Sequence, residues 1–152
     1  MSLRSHLRIF FLSSGLLLAA CGPVKHINSP AASIQQLSVL TNGRWQLDIR
    51  LQNFSDVGMH YATLNAHLDV EGVSAGEIEI KLDMDIPGES ADIVSAAITP
   101  NAKAYELLAG DRPHDFSYAI KGHIILSEPK RDFELDHKSR LSPVPGLSNI
   151  YR

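Results

Sequence analysis

The chain has 152 residues, with 14 basic and 17 acidic side chains and a formal net charge of −3. This slightly acidic balance argues against a nucleic-acid partner, which usually selects a basic surface. A single cysteine excludes an intrachain disulfide, and a chain of this length with 44% hydrophobic residues can form a domain held by its own core.

The first twenty residues have the character of a targeting segment. Arg4 and Arg8 come first without any acidic residue, and a largely apolar run from 9 to 20 follows. As a helix this run would be roughly 18 Å long, which is shorter than the ~30 Å hydrocarbon core of a membrane. We therefore predict that residues 1–20 are a cleaved signal peptide and not a membrane span.

Directly behind the apolar run stand Leu18, Ala19 and Ala20, followed by Cys21. This stretch resembles the lipobox of bacterial lipoproteins. The resemblance implies diacylglycerol on the Cys21 sulfur, cleavage before Cys21 and acylation of the new amino terminus, which together anchor a protein to a membrane without crossing it. Because Gly22 and not aspartate follows the cysteine, the resemblance favours the outer membrane, on its periplasmic face. The alternative is a plain secretory signal with a chance cysteine.

Cleavage would also change the charge of the protein. Removal of Arg4 and Arg8 leaves 12 basic residues against 17 acidic ones, a net charge of about −5. Such a surface is not attracted to anionic lipid head groups, so the lipid anchor itself is expected to hold the protein on the membrane.

Residues 21–32 are interpreted as the lipidated cysteine and a tether. The segment contains Pro23 and Pro30 and shows no hydrophobic periodicity. Its extended reach from Gly22 to Ala32 is at most ~35 Å, so the folded domain is expected close to the membrane surface.

Residues 33–140 are predicted to form one β domain. The clearest strand covers 44–52, where every second residue from Trp45 to Leu51 is apolar. Segments 64–71 and 77–86 repeat this alternation, and turn residues separate the three segments. Fainter patterns predict four further strands: 33–40, 91–99, 116–126 and 133–135. The segment 91–99 is apolar on both faces, which is typical of a buried strand.

Only residues 101–108 are predicted to be helical, behind Pro100. About seven strands, with turn signals every ten residues or so and one short helix, predict an all-β fold of two packed antiparallel sheets.

Residues 141–152 form a tail that contains Pro143 and Pro145, which rule out a central strand there. The tail nevertheless keeps apolar side chains such as Leu147 and Tyr151. Either it packs along the β-sandwich or it presents an apolar patch to a partner.

The seven histidines invite a metal hypothesis. His67 and His123 lie on the predicted polar faces of strands, where solvated histidine is the simpler interpretation. His60 is close to Asp56 in sequence and could join a loop site. No pair of histidines has a known ligand spacing, so we predict no metal and no cofactor beyond the acyl chains on Cys21.

Four carboxylates alternate along the segment 77–86: Glu77, Glu79, Asp83 and Asp85. Their spacing places them on one strand face about 7 Å apart, but that face also carries Lys81 and opens to solvent. We interpret it as a charged, solubilising face. Because the common phosphate-loop, nucleophile-elbow and zinc-helix motifs are missing from the sequence, we predict that the protein is not an enzyme.

Three segments together resemble the type 2 late embryogenesis abundant proteins, whose shared module is the water stress and hypersensitive response (WHy) domain. They are 45–53 with its Asn53-Phe54-Ser55 exit, the Ile86-Pro87-Gly88 turn, and the strand 116–122. The likeness covers roughly Ser33 to His137. It implies an immunoglobulin-like (fibronectin III-like) sandwich of seven strands, without catalytic residues, in a family associated with desiccation and stress responses.

Asn53 is the one family motif position that transfers to this chain, which has Phe54 and Ser55 where the family usually continues with Pro-Asn. We interpret Asn53 as a structural turn residue whose side chain bonds local backbone.

Three functions remain open. The first is a lipid-anchored, non-enzymatic sandwich that binds or shields envelope components under water stress. The second is an accessory subunit of an envelope complex that docks through an edge strand or the C-terminal tail. The third is a carrier of an apolar ligand held between the sheets.

Overall fold

The computed structural model describes residues 25–109 and 114–152. These residues form eight strands and one helix: β1 Ala31–Val39, β2 Trp45–Gln52, β3 Met59–Val70, β4 Val73–Ile86, β5 Ala91–Ile98, α1 Ala102–Leu108, β6 Phe116–Glu128, β7 Lys130–Leu141 and β8 Ile150–Tyr151.

The strands build two four-stranded antiparallel sheets, ordered β5-β2-β1-β8 and β4-β3-β6-β7. The prediction of an all-β fold with two antiparallel sheets is confirmed. The described residues contain eight strands where about seven were predicted, and the two-residue β8 comes from the proline-containing tail.

The loops that connect the strands lie at two opposite ends of the molecule, because successive strands run in opposite directions. The entry pole is the end where the described chain begins, and it consists of the segment 25–30, the loop 53–58, the turn 87–90 and Pro129. The far pole consists of the turn 40–44, the turn 71–72, α1 and the tail hairpin 142–149.

The core lies between the sheets and follows the predicted alternation. Trp45, Leu47, Ile49 and Leu51 of β2 are all 0% exposed, which confirms the predicted inward face of this strand. A hydrogen bond also joins the two sheets, since the Ile34 amide of β1 donates to the Tyr118 hydroxyl of β6 over 3.1 Å. It reaches β1 beside a bulge that interrupts the β1–β2 register.

The expectation that 91–99 is a buried strand is wrong. β5 is an edge strand of the first sheet, and Ile93 on its outer face is 50% exposed. The sequence of its outer face has an apolar hydropathy because this face carries alanines such as Ala91 and Ala97. These alanines lie opposite the polar Gln52 and Gln46 of β2. Alanines on an exposed face therefore give a hydropathy pattern similar to that of a buried strand.

β4 is an edge strand of the second sheet and carries a bulge. Two of its residues, Leu82 and Asp83, stand between the pairs Tyr61–Met84 and Thr63–Lys81, where β3 supplies only one residue. Asp83 has a φ of 47°, in the left-handed region that non-glycine residues seldom adopt.

The predicted helix is confirmed to within one residue. α1 begins at Ala102 because Asn101 is its N-cap, whose side-chain oxygen accepts the Ala104 amide over 2.9 Å. Asn101 also ties the helix to the second sheet, since its own amide donates to the Ala75 carbonyl oxygen over 3.0 Å.

The C-terminal tail packs on the domain, as the first of the two alternatives for it predicts, although the tip of the tail stays exposed. It folds into a hairpin closed by two backbone hydrogen bonds between Ser142 and Arg152, and its return strand β8 pairs with β1. Tyr151 is 2% exposed, and its ring meets the ring of Phe116 edge-on with centroids 5.0 Å apart. Leu147 at the tip of the hairpin is 50% exposed.

Candidate functional site

The predicted lipidation site, Cys21 with Leu18, Ala19 and Ala20, lies outside the described residues. The structure does describe how the chain that follows this site joins the domain. The entry pole is therefore the first candidate surface.

The segment 25–30 is bound to the loop 53–58 and is not a free tether. His26 and Asp56 are joined twice, because the His26 amide donates to the Asp56 carboxylate over 2.9 Å and the Asp56 amide donates to the His26 carbonyl over 3.4 Å. The Asn28 amide donates to the Ser55 hydroxyl over 2.9 Å. Strand β1 begins at Ala31, so the predicted tether 21–32 shares its last two residues with the sheet.

Asn53 organises the loop 53–58 from within. It is 0% exposed, and its side-chain oxygen accepts the Ser55 amide over 2.8 Å. Its side-chain nitrogen lies 2.9–3.0 Å from the carbonyl oxygens of Val57, Ile86 and Pro87. Asn53 thereby ties the β2–β3 loop to the β4–β5 turn, which fits its interpretation as a structural turn residue.

The close approach of these two loops also depends on Gly88. A Cβ atom at this position would lie 2.7 Å from the carbonyl carbon of Asp56, a backbone atom that cannot move aside. The entry pole is therefore tightly packed as well as hydrogen-bonded.

Two apolar side chains project from this rigid pole. Phe54 is 54% exposed although its neighbours Asn53 and Ser55 are both 0% exposed. Ile27 is 37% exposed, and the adjacent Asn28 donates a side-chain hydrogen bond to the Phe54 carbonyl over 2.8 Å. The two side chains therefore stand on adjacent segments of the same pole, and together we call them the entry-pole apolar patch.

Sequence reasoning missed the contacts of His26, Asn28, Ser55 and Asp56, because they join segments about thirty positions apart. The available signal was the Asn-Phe-Ser-Asp sequence, in which three of four residues favour local side-chain to backbone bonds. An exposed phenylalanine among these polar residues marks the position as unusual.

The far pole carries apolar side chains of its own, on the turn 40–44, on α1 and on the tail hairpin. Leu40 is 37% exposed, Tyr105 39% and Leu147 50%. The Val39 amide donates to the Asn149 carbonyl over 2.8 Å, so Leu40 is next to the tail hairpin. We call these three side chains the far-pole apolar patch.

The outer face of the second sheet carries three histidines, each paired with a carboxylate across strands. His60 lies 2.8 Å from Asp85 and 3.2 Å from Asp83, one carboxylate at each ring nitrogen. The hydrogen bond to Asp85 is the main cause that raises the pKa of His60 above its usual value. His60 therefore does not join a site with Asp56, which is occupied by the His26 amide.

His67 has the same kind of surroundings further along β3. Its Nδ1 lies 2.6 Å from the Glu77 carboxylate and its Nε2 lies 3.2 Å from Asp69. The hydrogen bond to Glu77 raises the pKa of His67. His123 of β6 pairs with Asp132 of β7 over 2.8 Å. In the described residues, no group of three or more histidine, cysteine, aspartate or glutamate side chains is placed to hold a metal ion.

A cleft of about 600 Å³ opens between the two edge strands β4 and β5, where no strand joins the sheets. Its lining includes Glu77, Glu79 and Lys81 from β4 and Ala96 from β5, so its surface is mainly polar. Among residues 25–109 and 114–152, no helix is long and apolar enough to cross a membrane.

No known family model matches the sequence, and no curated protein is similar to it at a significant level. The fold is similar to solved structures. The solution structure of AT1g01470 from Arabidopsis thaliana has a TM-score of 0.50 and 10% identity, over 84% of this chain and 85% of that one. A second, described as "Solution Structure of a putative late embryogenesis abundant (LEA) protein At2g46140.1", has a TM-score of 0.46 and 11% identity, over 78% of this chain and 74% of that one. A protein from Archaeoglobus fulgidus has a TM-score of 0.44 and 13% identity, over 78% of this chain and 98% of that one. At these identities the likeness concerns the fold alone, and it supports the two-sheet architecture shared with AT1g01470.

Proposed function

We propose that this protein is a lipid-anchored, non-enzymatic envelope protein whose β-sandwich binds or shields envelope components under water stress. The anchoring is supported by the lipobox-like stretch from Leu18 to Cys21. It stands five residues before His26, which among the described residues is the first that is hydrogen-bonded to the loop 53–58. A domain joined so closely to an acylated cysteine would remain beside the membrane.

The stress role is supported by the sequence resemblance to the WHy domain and by the character of the solvated faces. The outer face of the second sheet carries alternating carboxylates, exposed at Glu77, Glu79, Asp83 and Asp85. Such faces hold water well and resist association of like-charged molecules. A protein of this kind can act by occupying space and surface without any catalytic step.

Lipidation is tested by metabolic labelling with an alkyne analogue of palmitate and by mass spectrometry of the mature amino terminus. We expect label on the natural protein and loss of label, together with release from the membrane, in Cys21→Ala. An unlabelled mature protein that begins elsewhere than at residue 21 would contradict the anchor.

The stress role is tested by deleting the gene and measuring survival through drying and rehydration. We expect lower survival, restored by the natural protein and less well by the soluble Cys21→Ala variant. Survival that does not change in the deletion strain would contradict this role while leaving the anchor untouched.

A second candidate function is that of an accessory subunit, and the far-pole apolar patch favours it. Leu40, Tyr105 and Leu147 lie at the end of the domain opposite the anchor, where a partner in the envelope space could reach them. A photo-crosslinking residue at position 147 would yield one dominant partner under this function, whereas scattered neighbours would exclude it. The carrier of an apolar ligand has no comparable observation in its favour.

A further inference from the structure

We infer that the entry pole rests directly on the lipid surface, with Phe54 and Ile27 in the interfacial layer, so that the far pole points away from the membrane. The occupant of the entry-pole apolar patch is thus the membrane to which the protein is anchored. This inference depends on the proposed function, since it requires acyl chains on Cys21.

The length of chain between Cys21 and the first described contact of the domain supports this orientation. Five residue steps separate Cys21 from His26, whose amide is bound to Asp56, and this link spans at most roughly 17 Å when extended. The eight residues of β2 alone measure roughly 26 Å from pole to pole. The domain therefore cannot stand inverted, with only the far-pole apolar patch on the lipid surface, while the segment 25–30 stays bound.

The patch is also held in a fixed orientation. Phe54 stands between two fully buried residues, and its carbonyl oxygen accepts a hydrogen bond from Asn28. Its exposure is consequently a property of a rigid loop, and an aromatic ring presented in this way loses little conformational freedom when it enters an interface.

Because the protein is anchored, a small apolar patch is sufficient to hold the entry pole on the lipid surface. A tethered domain contacts the surface in an intramolecular step, at an effective concentration set by the short link, so two apolar side chains need not bind lipid on their own. The outer face of the second sheet is a poorer surface for this contact, because its carboxylates would have to leave water.

The test uses the mature, lipidated protein with a single added cysteine. The sulfur of an acylated Cys21 is a thioether and does not react with a thiol label, so Phe54→Cys and Leu147→Cys can each carry bimane. The two natural side chains have similar exposure, 54% and 50%, at opposite poles. Both proteins are reconstituted in vesicles of phosphatidylethanolamine and phosphatidylglycerol with a brominated phosphatidylcholine.

We expect bimane at position 54 to lose at least half of its fluorescence to the brominated lipid and bimane at position 147 to lose almost none. Ile27→Cys is a second reporter on the entry pole and is expected to follow position 54. Equal quenching at positions 54 and 147, or none at positions 27 and 54, would overturn the inference.

Flotation of the same samples separates the two proposals. A protein that floats with the vesicles without quenching at positions 27 and 54 keeps its anchor but refutes the orientation. A protein that fails to float refutes the anchor itself, and the orientation falls with it. Urea unfolding of each labelled variant identifies samples with the natural stability, and only these are compared.

Discussion

The two poles carry similar apolar side chains but support them differently. At the entry pole, Phe54 projects from a loop whose neighbouring residues are buried and hydrogen-bonded, and Gly88 packs against backbone. At the far pole, Leu147 projects from a hairpin whose Gly146 has open space around it. Exposed apolar area alone therefore does not define a functional surface, because the rigidity of the underlying loop determines how that area can be used.

The largest expected effect comes from removing the side chain that ties the entry pole together. Asn53→Ala leaves buried carbonyl groups and the Ser55 amide without their partner, and we expect a loss of about 3 kcal/mol in the free energy of unfolding. Urea denaturation measures this loss.

The matched control is Asn42→Ala in the far-pole turn, where an exposed asparagine oxygen accepts the Arg44 amide over 3.0 Å. We expect a loss below about 1 kcal/mol for this exposed bond. Equal losses for the two variants would contradict the difference between the poles.

A glycine at each pole provides a second comparison. In Gly88→Ala the new methyl group meets the backbone of Asp56 and Val57, so we expect a loss of about 2–3 kcal/mol from overpacking. At Gly146, φ is +80° and no atom would lie within 4 Å of the new methyl group. In Gly146→Ala we therefore expect only the cost of placing alanine in a left-handed conformation, a loss of about 1 kcal/mol in the free energy of unfolding. Thermal unfolding of both variants checks the order, and the reverse order would show that the loops at the entry pole can move apart.

The next expected effect is smaller and local, and it concerns a hydrogen bond that holds the segment 25–30 on the loop 53–58. Ser55→Ala removes the acceptor of the Asn28 amide, and we expect amide hydrogen exchange at Asn28 to become about tenfold faster, equivalent to about 1.4 kcal/mol. The Val39 amide, which donates to Asn149 at the far pole, serves as the internal control and is expected to keep its protection. Faster exchange at both amides would indicate global destabilisation and not local release.

The smallest expected effect concerns the histidines on the outer face of the second sheet. Glu77→Gln is expected to lower the pKa of His67, measured by NMR titration, because the carboxylate that stabilises the imidazolium is lost. Glu79→Gln on the same strand, opposite Asn65, is the control and is expected to leave the His67 pKa unchanged.

The sign of the pH effect on stability follows from the raised pKa. The His67–Glu77 contribution is fully present below the unfolded histidine pKa of about 6.5 and is lost as pH rises through the higher folded value. The difference in stability between the natural protein and Glu77→Gln should therefore be larger at pH 5.5 than at pH 8.5. A difference that grows towards high pH would refute the assignment.

The sequence alone predicted the two-sheet fold, because each long strand has a face that must be buried. Trp45 and its alternating partners in β2 are the clearest case, and Pro100 marked the start of the helix. The position of β5 at an edge could not be predicted, because Ala91 and Ala97 on its outer face give the segment the hydropathy of a buried strand. The order in which the strands pair depends on how segments distant in the sequence pack together. The hydropathy of a single segment carries no information about that packing.

For the candidate site, the sequence supplied the lipobox-like stretch and the structural interpretation of Asn53. It did not reveal that His26 and Asn28 bind the loop 53–58, since hydrogen bonds between segments so far apart leave no local pattern. The predicted reach of ~35 Å, from Gly22 to Ala32, thereby shortens to at most roughly 17 Å from Cys21 to His26.

The bulge in β4 has a consequence for behaviour at high protein concentration. An exposed sheet edge can recruit a strand from a neighbouring molecule, and this reaction becomes more favourable as water is withdrawn and molecules crowd together. At Leu82 and Asp83 the edge of the second sheet departs from the regular spacing that an incoming strand would need, and its outer face repels a second copy through its carboxylates. The same irregularity that interrupts the ladder with β3 therefore opposes strand addition at the β4 edge under the conditions in which this protein is proposed to act.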